Sequence, residues 1–195
     1  IDGIVISCLE EKIEYLKEII LKNNLKKIKS IVPGGKTGQE SIYNGLKEIS
    51  KYYSNKDIVL IHDGVRPLIN LSTIENNIQS VKKNGNAITV AEAIETIIQA
   101  DKDTGVINSI YNRNKMCVAR APQSFYLEDI LKCHEKSIYE NKLDFIDSAS
   151  MMNYYGYKLN IVFGPAENIK ITTPSDFYTF KAIQDMKENL NIFGI

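Results

Sequence analysis

A chain of 195 residues is long enough for one domain with a real core and too short for two comfortable ones. Apolar residues make up 44% and charged residues 25%, which argues against a disordered or fibrous design. Lys plus Arg equal Asp plus Glu at 24 each, so no overall charge favours nucleic acid or an anionic membrane as partner.

The N-terminus, Ile1-Asp2-Gly3-Ile4-Val5-Ile6, has no positive region or cleavage pattern of a signal peptide and reads as a strand already under way. Leu9 to Leu21 follow with helical spacing at Leu9, Ile13, Leu16 and Ile20. Next come a strand at Ile28 to Val32, a turn at Pro33-Gly34-Gly35 and a helix through Ile42, Leu46, Ile49 and Tyr53. Asp57 to Ile61 is a continuous apolar strand of the kind buried on both faces of a parallel sheet. Leu71 to Val81 read as a helix with Ser72 as its cap, and Ala87 to Val90 as another strand. This alternation predicts an α/β fold with a mainly parallel sheet.

Thr96 to Ala100 and Val106 to Ile110, joined by the turn-forming Asp101 to Gly105, predict a β-hairpin. A two-stranded ribbon is marginal alone and should lie on its own domain or on a second subunit. Helices fit Tyr126 to Tyr139 and Ser148 to Tyr155, with strands at Leu159 to Phe163 and Ile169 to Thr172. A last helix starts at Pro174, with Thr173 as cap and Asp176 at the positive end of its dipole. No apolar run reaches the roughly 18 residues of a membrane helix. Cys8, Cys117 and Cys133 are odd in number, far apart and without a Cys-x-x-Cys spacing, which predicts reduced thiols and a cytoplasmic setting.

In an open α/β sheet ligands bind beyond the carboxyl ends of the strands, and three places there carry chemistry. The first is Pro33 to Ser41, where glycines permit close backbone approach and a helix then presents free amides. Gly35-Lys36-Thr37 does not complete a Walker A loop, because Ser30 stands where its first glycine is required. A plain strand-to-helix turn explains it as well. The second is His62-Asp63-Gly64-Val65-Arg66-Pro67: Asp63 can hold a metal or a ribose hydroxyl and Arg66 can clamp a phosphate, or the two can pair within a turn. His62 reads as a packed or orienting histidine rather than a catalytic base. The third is Asn168 to Thr172, where Lys170 sits in an apolar strand and either reaches an anion or snorkels from an edge.

In this order and spacing the three places resemble the cytidylyltransferases that act on 2-C-methyl-D-erythritol 4-phosphate and, in a sister group, on ribitol 5-phosphate or similar pentitol phosphates. His62 to Pro67 matches the family's His-Asp-x-x-Arg-Pro, Pro122-Gln123 its Pro-Gln, Asp147 its helix-starting Asp, and Asn168 to Thr172 its Asn-Ile-Lys-x-Thr. The resemblance runs over essentially the whole chain. It implies a three-layer Rossmann-like nucleotidyltransferase fold with a protruding β-arm, residues 93–119, in a single domain. Gly34, Gly35, Ser41, Asp63 and Gly64 would bind CTP. Asp63, Arg66 and Lys170 would be catalytic, with Asp63 also a ligand of Mg²⁺. Arg66, Thr96, Arg113, Ala121, Ile146 and Lys170 would line the polyol-phosphate site, Thr96 and Arg113 serving the partner of a homodimer formed through the arm. Neither nucleic acid nor membrane is implied as partner.

The chain departs from the pattern at Gly38, where the family commonly has Arg. It also has Ala121 and Ile146 where methylerythritol enzymes usually have Thr, which tilts the expected acceptor toward a pentitol phosphate. The family's opening strand and Gly-rich triphosphate loop have no match, so the sequence is expected to begin at the second strand. Methylerythritol phosphate would place the enzyme in isoprenoid synthesis, a pentitol phosphate in cell-wall or capsule synthesis. A nicotinamide oxidoreductase is disfavoured because no Gly-x-Gly-x-x-Gly occurs. A non-catalytic scaffold is the other reading.

Overall fold

The β-rich N-terminal run forms β1 (Ile4–Cys8), which pairs in parallel with β2 (Ile28–Pro33). They are linked by a 3₁₀ turn at Glu10–Lys12 and α1 (Ile13–Lys22). A computed structural model describes residues 1–193, which divide into two units: Ile1–Val59 with Ser124–Leu159, and Leu60–Gln123 with the chain from Asn160 onward.

In the first unit α2 (Gly38–Ile49) starts at Thr37, whose hydroxyl accepts the Glu40 amide at 3.1 Å, a side-chain N-cap. It ends four residues short of Tyr53. The helices α4 (Leu127–Tyr139) and α5 (Ser148–Tyr154) complete this unit, whose core is Leu46, Phe125, Leu127, Ile130, Met151 and Met152. Gln39 ties it together: Nε2 donates to Ser137 Oγ at 2.6 Å and the Lys142 carbonyl at 3.1 Å, while Oε1 accepts the Phe145 amide.

A four-stranded sheet has the order β3 (Ile58–Ile61), β7 (Cys117–Tyr126), β4 (Asn86–Glu92), β8 (Ile161–Phe163). β4 pairs with β8 in parallel and, flanked on both sides, buries every residue but its last. The strand β7 was not apparent from the sequence. α3 (Leu71–Asn84) covers β4 and β8 and is capped by Asn70, which accepts the Thr73 amide at 2.9 Å; Ser72 is not the cap but donates to Asn70. Gly85, at φ 86°, supplies the left-handed turn that ends the helix. Within this unit Asn77 is fully buried and donates to Thr73 O and Thr89 Oγ1, which satisfies polar groups beneath the helix.

The hairpin is present as β5 (Ile98–Ala100) and β6 (Ile107–Ile110), antiparallel and exposed along nearly all of both strands. Asp101 closes its turn by accepting the Asp103 and Thr104 amides. Ile169 to Thr172, expected as a strand, joins no ladder. α6 (Pro174–Phe193) starts with Pro174 as expected, and Asp176 accepts the Thr172 and Thr173 amides. The three cysteines are free thiols. Among the described residues no helix is long and apolar enough to cross a membrane.

His134 on α4 is 1% exposed, stacks on Tyr43 with ring centroids 5.6 Å apart, and neither of its nitrogens has a hydrogen-bond partner. Burial pushes its pKa down to about 4. The neutral ring therefore favours the fold above the unfolded pKa of about 6.5, and that stability drains away as pH falls toward 4. Wild type should lose about 2 to 3 kcal/mol more than His134→Phe between pH 7.5 and 4.5. Urea midpoints at the two pH values measure this, and parallel losses in both proteins would contradict it.

Candidate active site

In the first unit β2 runs into a turn with little room for side chains at Gly34 and Gly35. The Gly34 amide donates to the Cys8 carbonyl at 2.7 Å, and a Cβ on Gly34 would lie 3.2 Å from Ser41 Oγ. A Cβ on Gly35 would lie 2.3 Å from the Glu40 side chain, so no other residue fits without displacing it. Ser41 Oγ accepts the Gly35 amide and donates to the Thr37 carbonyl, both at 2.9 Å, while Glu40 accepts the Lys36 amide at 2.6 Å. Ser41 thus shapes the turn with its hydroxyl fully engaged. Gly38 opens α2, and a Cβ there would meet nothing within 4 Å.

The second unit carries a charged cluster after β3. Arg66 is only 8% exposed and spends Nε on Asp63 Oδ2 at 2.9 Å and Nη1 on the Asn168 carbonyl at 2.9 Å. Lys170 Nζ stands 3.7 Å from the same Asp63 oxygen with its side chain about half exposed. His62 Nε2 meets the Arg66 carbonyl at 3.0 Å. A Cβ at Gly64 would meet nothing within 4 Å, which leaves that side of the loop open.

Asn168 is fully buried: its Nδ2 donates to the Ala121 carbonyl at 3.0 Å, and Ile171 N donates to the Val65 carbonyl at 2.9 Å. These bonds hold 168–171 against the 62–66 loop, so Asp63, Arg66, Lys170 and Ala121 come together. Thr96 and Arg113 lie exposed in the arm, where Arg113 donates to the Ile94 carbonyl at 2.9 Å. Ile146 belongs to the first unit and is 96% exposed, next to Asp147, which caps α5 in a reciprocal capping box.

One residue of the cluster escaped the sequence reading. Arg120 on β7 is half-buried, makes no hydrogen bond or ion pair among the described residues, and lies within the electrostatic reach of Arg66. Its signal in the sequence was a lone arginine next to Ala121-Pro122-Gln123, legible only once that stretch is recognised as a strand.

The fold is that of the nucleotidyltransferases. The 4-diphosphocytidyl-2C-methyl-D-erythritol synthase structure from Anaerococcus prevotii superposes with a TM-score of 0.81 at 26% identity, over 94% of this chain and 79% of that one. A ribitol-5-phosphate cytidylyltransferase of Vibrio parahaemolyticus is 48% identical over 194 residues, spanning 100% of this chain and 81% of its own. A 2-C-methyl-D-erythritol 4-phosphate cytidylyltransferase of Clostridium botulinum is 40% identical over 176 residues, 90% of this chain and 75% of its own. Residues 1–185 match the family model described as IspD: 2-C-methyl-D-erythritol 4-phosphate cytidylyltransferase. This chain belongs to the IspD cytidylyltransferase family.

Asn168→Ala should lower stability by about 1 to 3 kcal/mol, because the Ala121 carbonyl loses its buried partner. Ile146→Thr, at an exposed position, should stay within about 0.5 kcal/mol of wild type. Urea unfolding of the two variants checks the contrast.

Proposed function

We propose that this protein transfers the cytidylyl group of CTP to the phosphate of a small sugar alcohol, ribitol 5-phosphate or a pentitol phosphate like it, and releases pyrophosphate. The observation that carries the reading is the gathering of Arg66 and Lys170 about Asp63, in a chain that its ribitol-5-phosphate relatives match from end to end at 45–48% identity. The methylerythritol-phosphate relatives match at 40% over 90% of the chain, and that acceptor is the second reading. Ala121 and Ile146, where threonine is usual in methylerythritol enzymes, favour the first.

In the proposed reaction an acceptor phosphate oxygen attacks the α-phosphorus of CTP in line. A P–O bond forms, the bond from the α-phosphorus to the bridging oxygen breaks, and pyrophosphate carries off the electron pair. No general base is needed, since a phosphate monoester with second pKa near about 6 is largely dianionic at neutral pH. Catalysis is then positioning of two anions and cancellation of their repulsion. Lys170 is the exposed cation for the transferring phosphates. Arg66, held by Asp63 and Asn168, fixes the loop and adds its charge. Gly34, Gly35 and Ser41 shape the turn assigned to the cytosine base.

Among the described residues no three His, Cys, Asp or Glu side chains gather as a cage for a metal. Mg²⁺ is usually bound by one or two carboxylates plus substrate phosphates, and the partly exposed carboxylate of Asp63 is the residue to hold it. The ion would supply charge neutralisation at the phosphates. A homodimer through the arm is part of the same reading: Ile94, Ile98, Val106, Ile107 and Ile110 expose apolar side chains there, and Thr96 and Arg113 would serve the partner's acceptor. Balanced charge and unpaired thiols fit the cytoplasm as the setting.

Pyrophosphate release with CTP and Mg²⁺, offered ribitol 5-phosphate, arabinitol phosphate and methylerythritol phosphate in parallel, tests the reading. One acceptor should dominate and be a pentitol phosphate; release with none of the three would overturn the enzymatic reading for these acceptors. Lys170→Ala should raise the activation barrier by about 2 to 4 kcal/mol, a loss of roughly 30- to 1,000-fold in kcat. Near-normal turnover of that variant would remove Lys170 from the mechanism.

A further inference from the structure

Arginine is almost never taken out of water without a partner, because burying an uncompensated charge is expensive. Arg66 obeys the rule, with Asp63 and the Asn168 carbonyl as its partners. Arg120 does not. It is half-buried on β7, its Nε is shut off from solvent without a hydrogen-bond partner, and among the described residues no carboxylate pairs with it. Burial first and the neighbouring Arg66 charge second push its pKa down from the ordinary guanidinium range.

The local charge count points the same way. Asp63 is one carboxylate shared by Arg66 and Lys170, and Arg120 adds a third cation with nothing of its own to neutralise it. Such an excess is unfavourable where the groups are partly withdrawn from water, and an anion entering from outside relieves it. A second buried atom is also unpaired here. Oδ1 of Asn168 has no partner, although Nδ2 of the same side chain is fixed on the carbonyl of Ala121, the residue that follows Arg120. The Asn168 oxygen is an acceptor and cannot bind an anion; what an anion would answer is the surplus positive charge and the unpaired Nε–H of Arg120.

We propose that Arg120 is a phosphate-binding residue of this enzyme that, with Arg66 and Lys170, takes the dianionic phosphate of the acceptor. The identity of that anion rests on the cytidylyl-transfer reading; the existence of the anion site does not. Arg120 contributes a planar fork suited to two phosphate oxygens, where Lys170 contributes a mobile point charge. The fixed carbonyl of Ala121 and the engaged amide of Asn168 hold the adjacent backbone while the guanidinium swings onto the ligand.

The test compares Arg120→Gln and Arg120→Lys with wild type in two measurements. In steady-state kinetics Arg120→Gln should raise KM for the polyol phosphate 10- to 100-fold with KM for CTP within twofold, and Arg120→Lys should fall between. In thermal unfolding with and without inorganic phosphate, ligand-free Arg120→Gln should be as stable as wild type or more so, and only wild type should be strongly stabilised by phosphate. Unchanged acceptor KM together with unchanged stabilisation by phosphate would overturn the proposal. So would a large loss of stability in the ligand-free Arg120→Gln and Arg120→Lys proteins, which marks a purely structural arginine. If wild type turns over none of the acceptors yet loses phosphate stabilisation on Arg120→Gln, the anion site stands and the cytidylyl-transfer reading falls alone.

Discussion

The Arg66 guanidinium is buried, and its demand for partners organises the second unit. Asp63 answers with a carboxylate and Asn168 with a backbone carbonyl, which draws the loop after β3 onto a segment more than a hundred residues later. His62 on the Arg66 carbonyl and Ile171 on the Val65 carbonyl close the same junction from either side. Asn168 then passes the constraint to β7 through the Ala121 carbonyl. Removing one partner of such a buried charge is far more damaging than the net worth of the pair, so these few bonds govern the position of every charged group around them.

The first unit solves a comparable problem without charge. Gln39 uses both amide hydrogens and its oxygen on Ser137, Lys142 and Phe145, a neutral network with nothing left over. The same helix begins at the glycine turn, where Ser41, Thr37 and Glu40 satisfy the amides and carbonyls of a bend too tight for side chains. Fully satisfied polar groups make a rigid shape. The cluster after β3 in the second unit keeps surplus positive charge instead, with Arg66 and Lys170 sharing the Asp63 carboxylate and Arg120 near Arg66.

Much of this was legible in the sequence where local periodicity carries the information. The run at residues 87–90, the hairpin around Asp101 to Gly105 and the Thr173-Pro174-Asp176 start of α6 all appear as expected. The strand β7 did not, because Arg120 and Pro122 interrupt its apolar pattern and proline argues against a strand interior. Ile169 to Thr172 failed in the opposite sense: the residues have strand composition, but the segment is held by Asn168 and a single backbone bond to Val65 and joins no ladder. At α3 two residues could cap, and Asn70 displaced Ser72 because its side chain reaches the Thr73 amide. Of the site, residue types at motif positions were readable. Burial of Arg66, exposure of Lys170 and the isolation of Arg120 were not, since these depend on which distant segments pack together.

Ala121 and Ile146, the two positions that depart from the methylerythritol pattern, differ physically. Ala121 is 5% exposed with its carbonyl engaged by Asn168, so a threonine there would bring a hydroxyl into a closed environment that must then satisfy it. Ile146 is almost wholly exposed, so its influence depends on what is brought against it. Apolar surroundings reject an added hydroxyl only weakly, whereas a site whose polar groups are matched to a substrate hydroxyl rejects an analogue lacking it far more strongly. Losing threonines therefore weighs against an acceptor that would have used their hydroxyls without by itself selecting another. For the proposed acceptors the phosphate is common to all and is served by the cations, so choice among them must come from groups that hydrogen-bond the polyol itself.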